Sequence, residues 1–212
     1  MDHSYCDYNV AVSQTPRRVL ITAFAPFAGR AENSSSLAVR ALTVSPGIRL
    51  LPDVPVVWAD ETIVTAAAEH DAELVVAVGE AAMRAELRFE RVARNLARGA
   101  DTHGVKCDGL LDDKGPGRLE SNLPPEARQR AVNALRKAGL RLPPEHGPSW
   151  LPWLGPPDWE TSAGAFLCNA TYYRLLSHHP HRTIVFIHVR IGADPQRLAQ
   201  GIGLAVDEWT KD

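Results

Sequence analysis

A chain of 212 residues with 45% hydrophobic and 23% charged side chains has the make-up of an ordinary globular protein, and at this length one core can bury most of the apolar surface. Lys and Arg number 23 against 25 Asp and Glu, a net charge of −2, which offers no broad attraction for a nucleic-acid backbone or an anionic membrane surface. No apolar run approaches the roughly 20 residues of a spanning helix, so the expected partner is small or peptide-like, with neither nucleic acid nor membrane involved.

Residues 1–16 show no periodicity and end at Pro16, which predicts a flexible tail ahead of the first strand. The opening MDHSYCDYNV lacks the positive-then-apolar profile of a secretory signal, and three cysteines, Cys6, Cys107 and Cys168, are an odd and sparse set. A reducing, cytoplasmic setting with at least one free thiol is expected. From Arg18 the run RVLITAFA reads as a strand ending at Pro26; polar Asn33, Ser34, Ser35 and Ser36 then precede the helical pattern Leu37, Val39, Ala41.

The alternation recurs with a strand over 48–58 interrupted by Pro52 and Pro55, a helix over 60–69 and a buried-strand run, LVVAVG, at 74–79. Pro124 and Pro125 open a helix that runs through Lys137 and closes at Gly139; a last strand, 183–190, is followed by a helix from Pro195 to about Trp209. Strands alternating with helices predict one α/β domain over 17–212, a three-layer α/β/α sandwich on a twisted, mixed and mostly parallel sheet. In that architecture ligand sites form in the loops beyond the carboxyl ends of the strands. The stretch 142–157, with six prolines and two tryptophans (Trp150 and Trp153), excludes helix and central strand and predicts a loop insertion, either a lid or a contact between copies.

Two residues stand where such a site would open. Cys168 lies in ETSAGAFLCNATYYRLLSHH, where Ser162 can cap a helix starting near Ala163 and Gly164; the sulfur then sits in the first turns, where the helix dipole favours a thiolate. A buried, inert cysteine would show the same pattern. His188 ends the strand TIVFIHVR, and a histidine paired with a thiol and a carboxylate makes a base-and-orienter arrangement. Periodicity cannot choose that carboxylate among 25 acidic residues.

The choice comes from resemblance. The segment GEAAMRAELRFERVARN at 79–95 resembles the glutamate signature of the pyroglutamyl-peptidase I family, also called pyrrolidone-carboxylate peptidase, and Glu90 falls at its acidic residue. TSAGAFLCN at 161–169 is similar to the family's cysteine signature and FIHV at 186–189 to its histidine strand. ITAFAPFAG at 21–29, NSS at 33–35 and SNLP at 121–124 agree with three further family segments in the same order. Six short matches in order across most of a chain make chance an inadequate explanation.

The resemblance implies a cysteine peptidase that removes N-terminal pyroglutamate from peptides with no metal or organic cofactor. Cys168 would be the nucleophile, His188 the base and Glu90 the group orienting it. Phe24, Phe27, Phe166 and Leu167 would form the walls of the lactam pocket, and Arg98 would line the site if the preceding loop is two residues short. The family's bacterial members often associate, so a homo-oligomer is an expectation too. Glu80 departs from the pattern, standing where the family has glutamine: an amide both accepts and donates, whereas an ionised carboxylate only accepts. Ala23, Ala28, Ala81 and Ala82 replace glycines, and Arg88 replaces a small hydroxyl residue. A catalytically idle relative that binds lactam-like ligands is the alternative, against which stands the retention of all three candidate catalytic residues. An α/β phosphorylase-like enzyme would need a phosphate cradle that the glycine spacing does not supply.

Overall fold

Every residue of the first strand, VLITAF, is buried, which requires cover on both faces and so a sheet between two helical layers. The computed structural model describes residues 17–143 and 162–211. The expected tail at 1–16, and residues 144–157 of the Pro/Trp-rich stretch with Trp150 and Trp153, lie outside the described residues. In chain order the elements are β1 (Val19–Phe24), α1 (Ser34–Arg40), β2 (Ile48–Val54), α2 (Thr62–Glu69), β3 (Leu74–Ala81), β4 (Leu87–Glu90), β5 (Val92–Arg94), β6 (Ala97–Ala100), β7 (Lys106–Gly109), β8 (Arg118–Glu120), α3 (Pro125–Lys137), α4 (Leu167–His178), β9 (Thr183–Arg190) and α5 (Pro195–Thr210).

The main sheet has the order β2-β1-β3-β9-β4. Its first four strands run parallel and β4 is an antiparallel edge, which matches the mixed, mostly parallel sheet read from the alternation. Side chains alternate across it. Val19, Ile21, Val76, Val78, Val185 and Ile187 pack with residues of α1, α3 and α5 on one face. On the other, Leu20, Val75, Ala77, Ile184 and Phe186 pack with α2 and α4. Among the described residues no helix is long and apolar enough to cross a membrane.

Local differences from the sequence reading have physical causes. The second strand stops at Val54 rather than running to 58, because Pro55 has no amide to donate and Asp53 turns the chain at φ 62°. The fourth helix starts at Leu167 rather than Ala163. Phe166 holds its N-cap position and supplies no side-chain acceptor, while Ser162 forms a bridge with Val92. Between β3 and α3 the chain makes two small antiparallel pairs, β5 with β8 and β6 with β7, which alternation alone did not reveal.

Candidate active site

The parallel strands β3 and β9 end side by side, with Gly79 in register with His188. Helix α4 arrives over that point with its second residue, Cys168. A Cβ on Gly79 would stand 2.8 Å from the Cys168 sulfur and 3.0 Å from the Phe186 ring, so only glycine leaves the thiol room to lie on the strand. Asn169 fixes the helix start: its amide donates to Arg94 O (2.8 Å) and Leu96 O (2.9 Å) and accepts from Arg94 N (2.7 Å). The half-buried thiol therefore has a rigid support on the side away from solvent.

Edge strand β4 places Arg88 opposite His188 and Glu90 opposite Phe186, so Glu90 is the diagonal neighbour of the histidine on the same face. His188 Nδ1 donates to Glu90 Oε1 at 2.6 Å, leaving Nε2 for the thiol. Glu90 is fully buried, takes a second hydrogen bond at Oε1 from Arg88 Nε (2.7 Å), and holds a buried Oε2 that meets no donor among the described residues. Tyr172 OH donates to the Glu90 carbonyl at 3.3 Å, and burial lifts its pKa to about 12, so it stays a donor. Burial by itself would depress the His188 pKa, but hydrogen bonds to Cys168 and Glu90 and the attraction of both groups outweigh it and raise the value to about 9.

Beside the sulfur a narrow slot is lined by Phe24, Phe27, Asn33, Val56, Glu80, Phe166, Leu167 and Cys168. Phe166 meets Phe27 at a centroid distance of 6.3 Å and the edge of Trp58 at 5.4 Å, so its walls are braced aromatic faces. Gly99 supports this packing, since a Cβ there would stand 2.9 Å from the Phe166 ring. The buried Glu80 carboxylate accepts from Ser34 N at 2.8 Å and pairs with Arg30. Ala28 keeps the preceding turn at φ 54°, a conformation that costs a residue with a Cβ roughly 1–2 kcal/mol.

The fold thus gathers eight of the nine residues singled out in the sequence: Cys168, His188, Glu90, Phe24, Phe27, Glu80, Phe166 and Leu167. Arg98 stands apart. Its guanidinium is largely exposed and pairs with Asp108 at 3.3 Å, and only its backbone approaches the site, donating to Ala165 O at 2.7 Å. Sequence reading missed Arg30, Val56 and Trp58. Val56 and Trp58 follow Pro55 in a stretch taken for strand, and a lone arginine after a glycine carries no local signal at all.

A thiol at a helix start, set on an imidazole that a buried carboxylate already holds, has the make-up of a cysteine hydrolase. The sequence model of the pyroglutamyl peptidase family matches residues 17–205. Pyrrolidone-carboxylate peptidase from Pectobacterium carotovorum is 34% identical over 82% of this chain and 78% of its own length. That from Bacillus amyloliquefaciens is 30% identical over 92% and 88%. A crystal structure of the Bacillus amyloliquefaciens pyroglutamyl peptidase I superposes with a TM-score of 0.75 at 24% identity, covering 93% of this chain and 97% of that one. A pyrrolidone carboxyl peptidase structure from Pyrococcus furiosus gives 0.72 at 22%, covering 89% and 96%. The chain belongs to the pyroglutamyl peptidase family.

Proposed function

We propose that this chain hydrolyses the peptide bond after an N-terminal pyroglutamyl residue, with Cys168 as nucleophile, His188 as its acid and base, and Glu90 holding the imidazole. The observation that carries this reading is the succession of Cys168, His188 and Glu90 beside the aromatic slot. Residues 17–212 act as one catalytic domain, working in the cytoplasm on peptides. The balanced charge argues against a nucleic-acid or membrane partner. Self-association, which the family resemblance implies, would draw on the Pro/Trp-rich stretch of sequence that holds Trp150 and Trp153.

The chemistry follows from the geometry. With a proton shared towards His188, the Cys168 thiolate adds to the carbonyl that joins the lactam residue to the rest of the peptide. The oxyanion meets amides of the α4 start, whose N-cap residue offers no competing side-chain acceptor. His188 Nε2 then gives its proton to the departing amine, leaving a pyroglutamyl thioester. Water, deprotonated by the same nitrogen, releases pyroglutamate and restores the thiol. Glu90 keeps Nδ1 protonated and offsets the imidazolium charge. Phe24, Phe27, Phe166 and Leu167 take the apolar faces of the five-membered ring, and Glu80 accepts its N–H.

The test compares a pyroglutamyl peptide with the same peptide beginning in proline. Pyroglutamate is released from the first, and no amino acid is released from the second. Binding of the pyroglutamyl peptide without release would leave a binding protein in place of an enzyme; cleavage of both would remove the lactam selectivity.

A further inference from the structure

Resting on that reading, one feature of the slot departs from what a glutamate alone could do. The lactam ring presents a donor N–H and an acceptor C=O side by side on one edge, because its amide is held cis within the ring. A glutamine amide answers both groups. A carboxylate answers only the N–H and repels the carbonyl oxygen. Glu80 does not stand alone, however. Arg30 Nη2 donates to its Oε1, Ser34 N donates to its Oε2 at 2.8 Å, and the Glu80 side chain is buried. The guanidinium carbon lies 4.8 Å over the centre of the Phe27 ring, itself a wall of the slot.

Arg30 also faces an open cleft of about 480 Å3 that shares Phe27, Val56 and Phe166 with the slot. Its guanidinium carries five N–H groups in a rigid fork, of which the contact with Glu80 uses one. We infer that Arg30 and Glu80 act together as the recognition unit for the amide edge of the lactam: Glu80 accepts the ring N–H and Arg30 donates to the ring carbonyl. The pair supplies between two side chains the donor and the acceptor that one amide would supply, and the cation offsets the repulsion between carboxylate and carbonyl. Stacking on Phe27 holds the fork in place while the ring slides between the aromatic walls.

Steady-state kinetics on a fluorogenic pyroglutamyl amide test this. Arg30→Met raises KM by about ten- to a hundredfold, with kcat changed much less, since a charge-assisted hydrogen bond is lost from binding and not from the reacting bond. Adding Glu80→Gln to Arg30→Met brings KM back to within several-fold of wild type, because the new amide meets both lactam groups. An unchanged KM in a folded Arg30→Met protein, with wild type active, overturns the inference and leaves the proposed function standing. No hydrolysis by wild type overturns the function itself.

If Arg30→Met does not fold, inhibition of the wild-type enzyme carries the same test. Pyrrole, a flat five-membered ring that keeps the N–H and lacks the carbonyl, competes at least about tenfold more weakly than 2-pyrrolidone when a cation meets the oxygen. Equal competition by the two rings means that no donor reads the carbonyl, and the inference falls.

Discussion

Cys168→Ser lowers kcat/KM for a pyroglutamyl amide by at least about 10⁴, nearly all of it in kcat. The substitution exchanges sulfur for oxygen in a place built around the larger atom, 2.8 Å from where a Gly79 Cβ would be, so no clash arises and the slot walls stay put. What changes is the nucleophile. A serine hydroxyl holds its proton far more tightly than a thiol, and the hydrogen bond and charge of Cys168 that help to raise the His188 pKa to about 9 in the wild-type protein are lost with the sulfur. The alcohol therefore stays un-ionised, a poor nucleophile in a site arranged around a thiolate and imidazolium pair. The serine protein therefore binds 2-pyrrolidone with wild-type affinity while releasing no product. A serine protein with substantial turnover would mean that the sulfur is a bystander.

His188→Gln is expected to cost about 10³ in kcat/KM and to remove the pH response of the site. In the wild-type protein the folded-state pKa of His188 is raised from 6.5 to about 9. The stability drawn from the charged imidazole is thus fully present below about pH 6.5 and is lost as the pH climbs through 9. Activity follows the same limb: kcat/KM falls above about pH 9, when the imidazolium no longer has a proton for the leaving amine. Because Glu90 helps to raise that pKa, Glu90→Gln moves the alkaline limb to lower pH. In His188→Gln the melting temperature no longer drops across this window. A pH–rate profile and a thermal melt series on the three proteins measure both effects; an alkaline limb that Glu90→Gln leaves in place would separate the carboxylate from the imidazole.

How far the site could be read from the sequence depends on how local each signal is. The strands β1, β3 and β9 are short apolar runs rich in β-branched residues, and α3 and α5 open with proline, so periodicity and breakers found them with small errors at the ends. The span from β4 to β8 was invisible because its strands have three or four residues, too few to display a period. In β4 the buried positions include Glu90, and the half-buried Arg88 pairs with it, so the strand presents polar side chains where a pattern search looks for apolar ones.

Cys168 could be placed near a helix start, although the cap was misassigned: Gly164 and Ala165 stay outside the helix, which lets the first free amides gather at the sulfur rather than four residues earlier. Glu90 was chosen by family likeness alone, because its bond to His188 joins residues 98 positions apart on neighbouring strands. Arg30 is the sharper lesson. Its meaning depends on Glu80, 50 positions away, and a departure from the family pattern at one position becomes intelligible only when the fold shows what stands beside it.

The most direct test of the account is to mix the enzyme with a pyroglutamyl ester, quench within one turnover in acid, and digest for peptide mass analysis. The account predicts a pyroglutamyl group on the peptide carrying Cys168, vanishing on longer incubation as pyroglutamate appears. Product formation with that peptide unmodified throughout, or an acyl group carried by Cys107 instead, would contradict it.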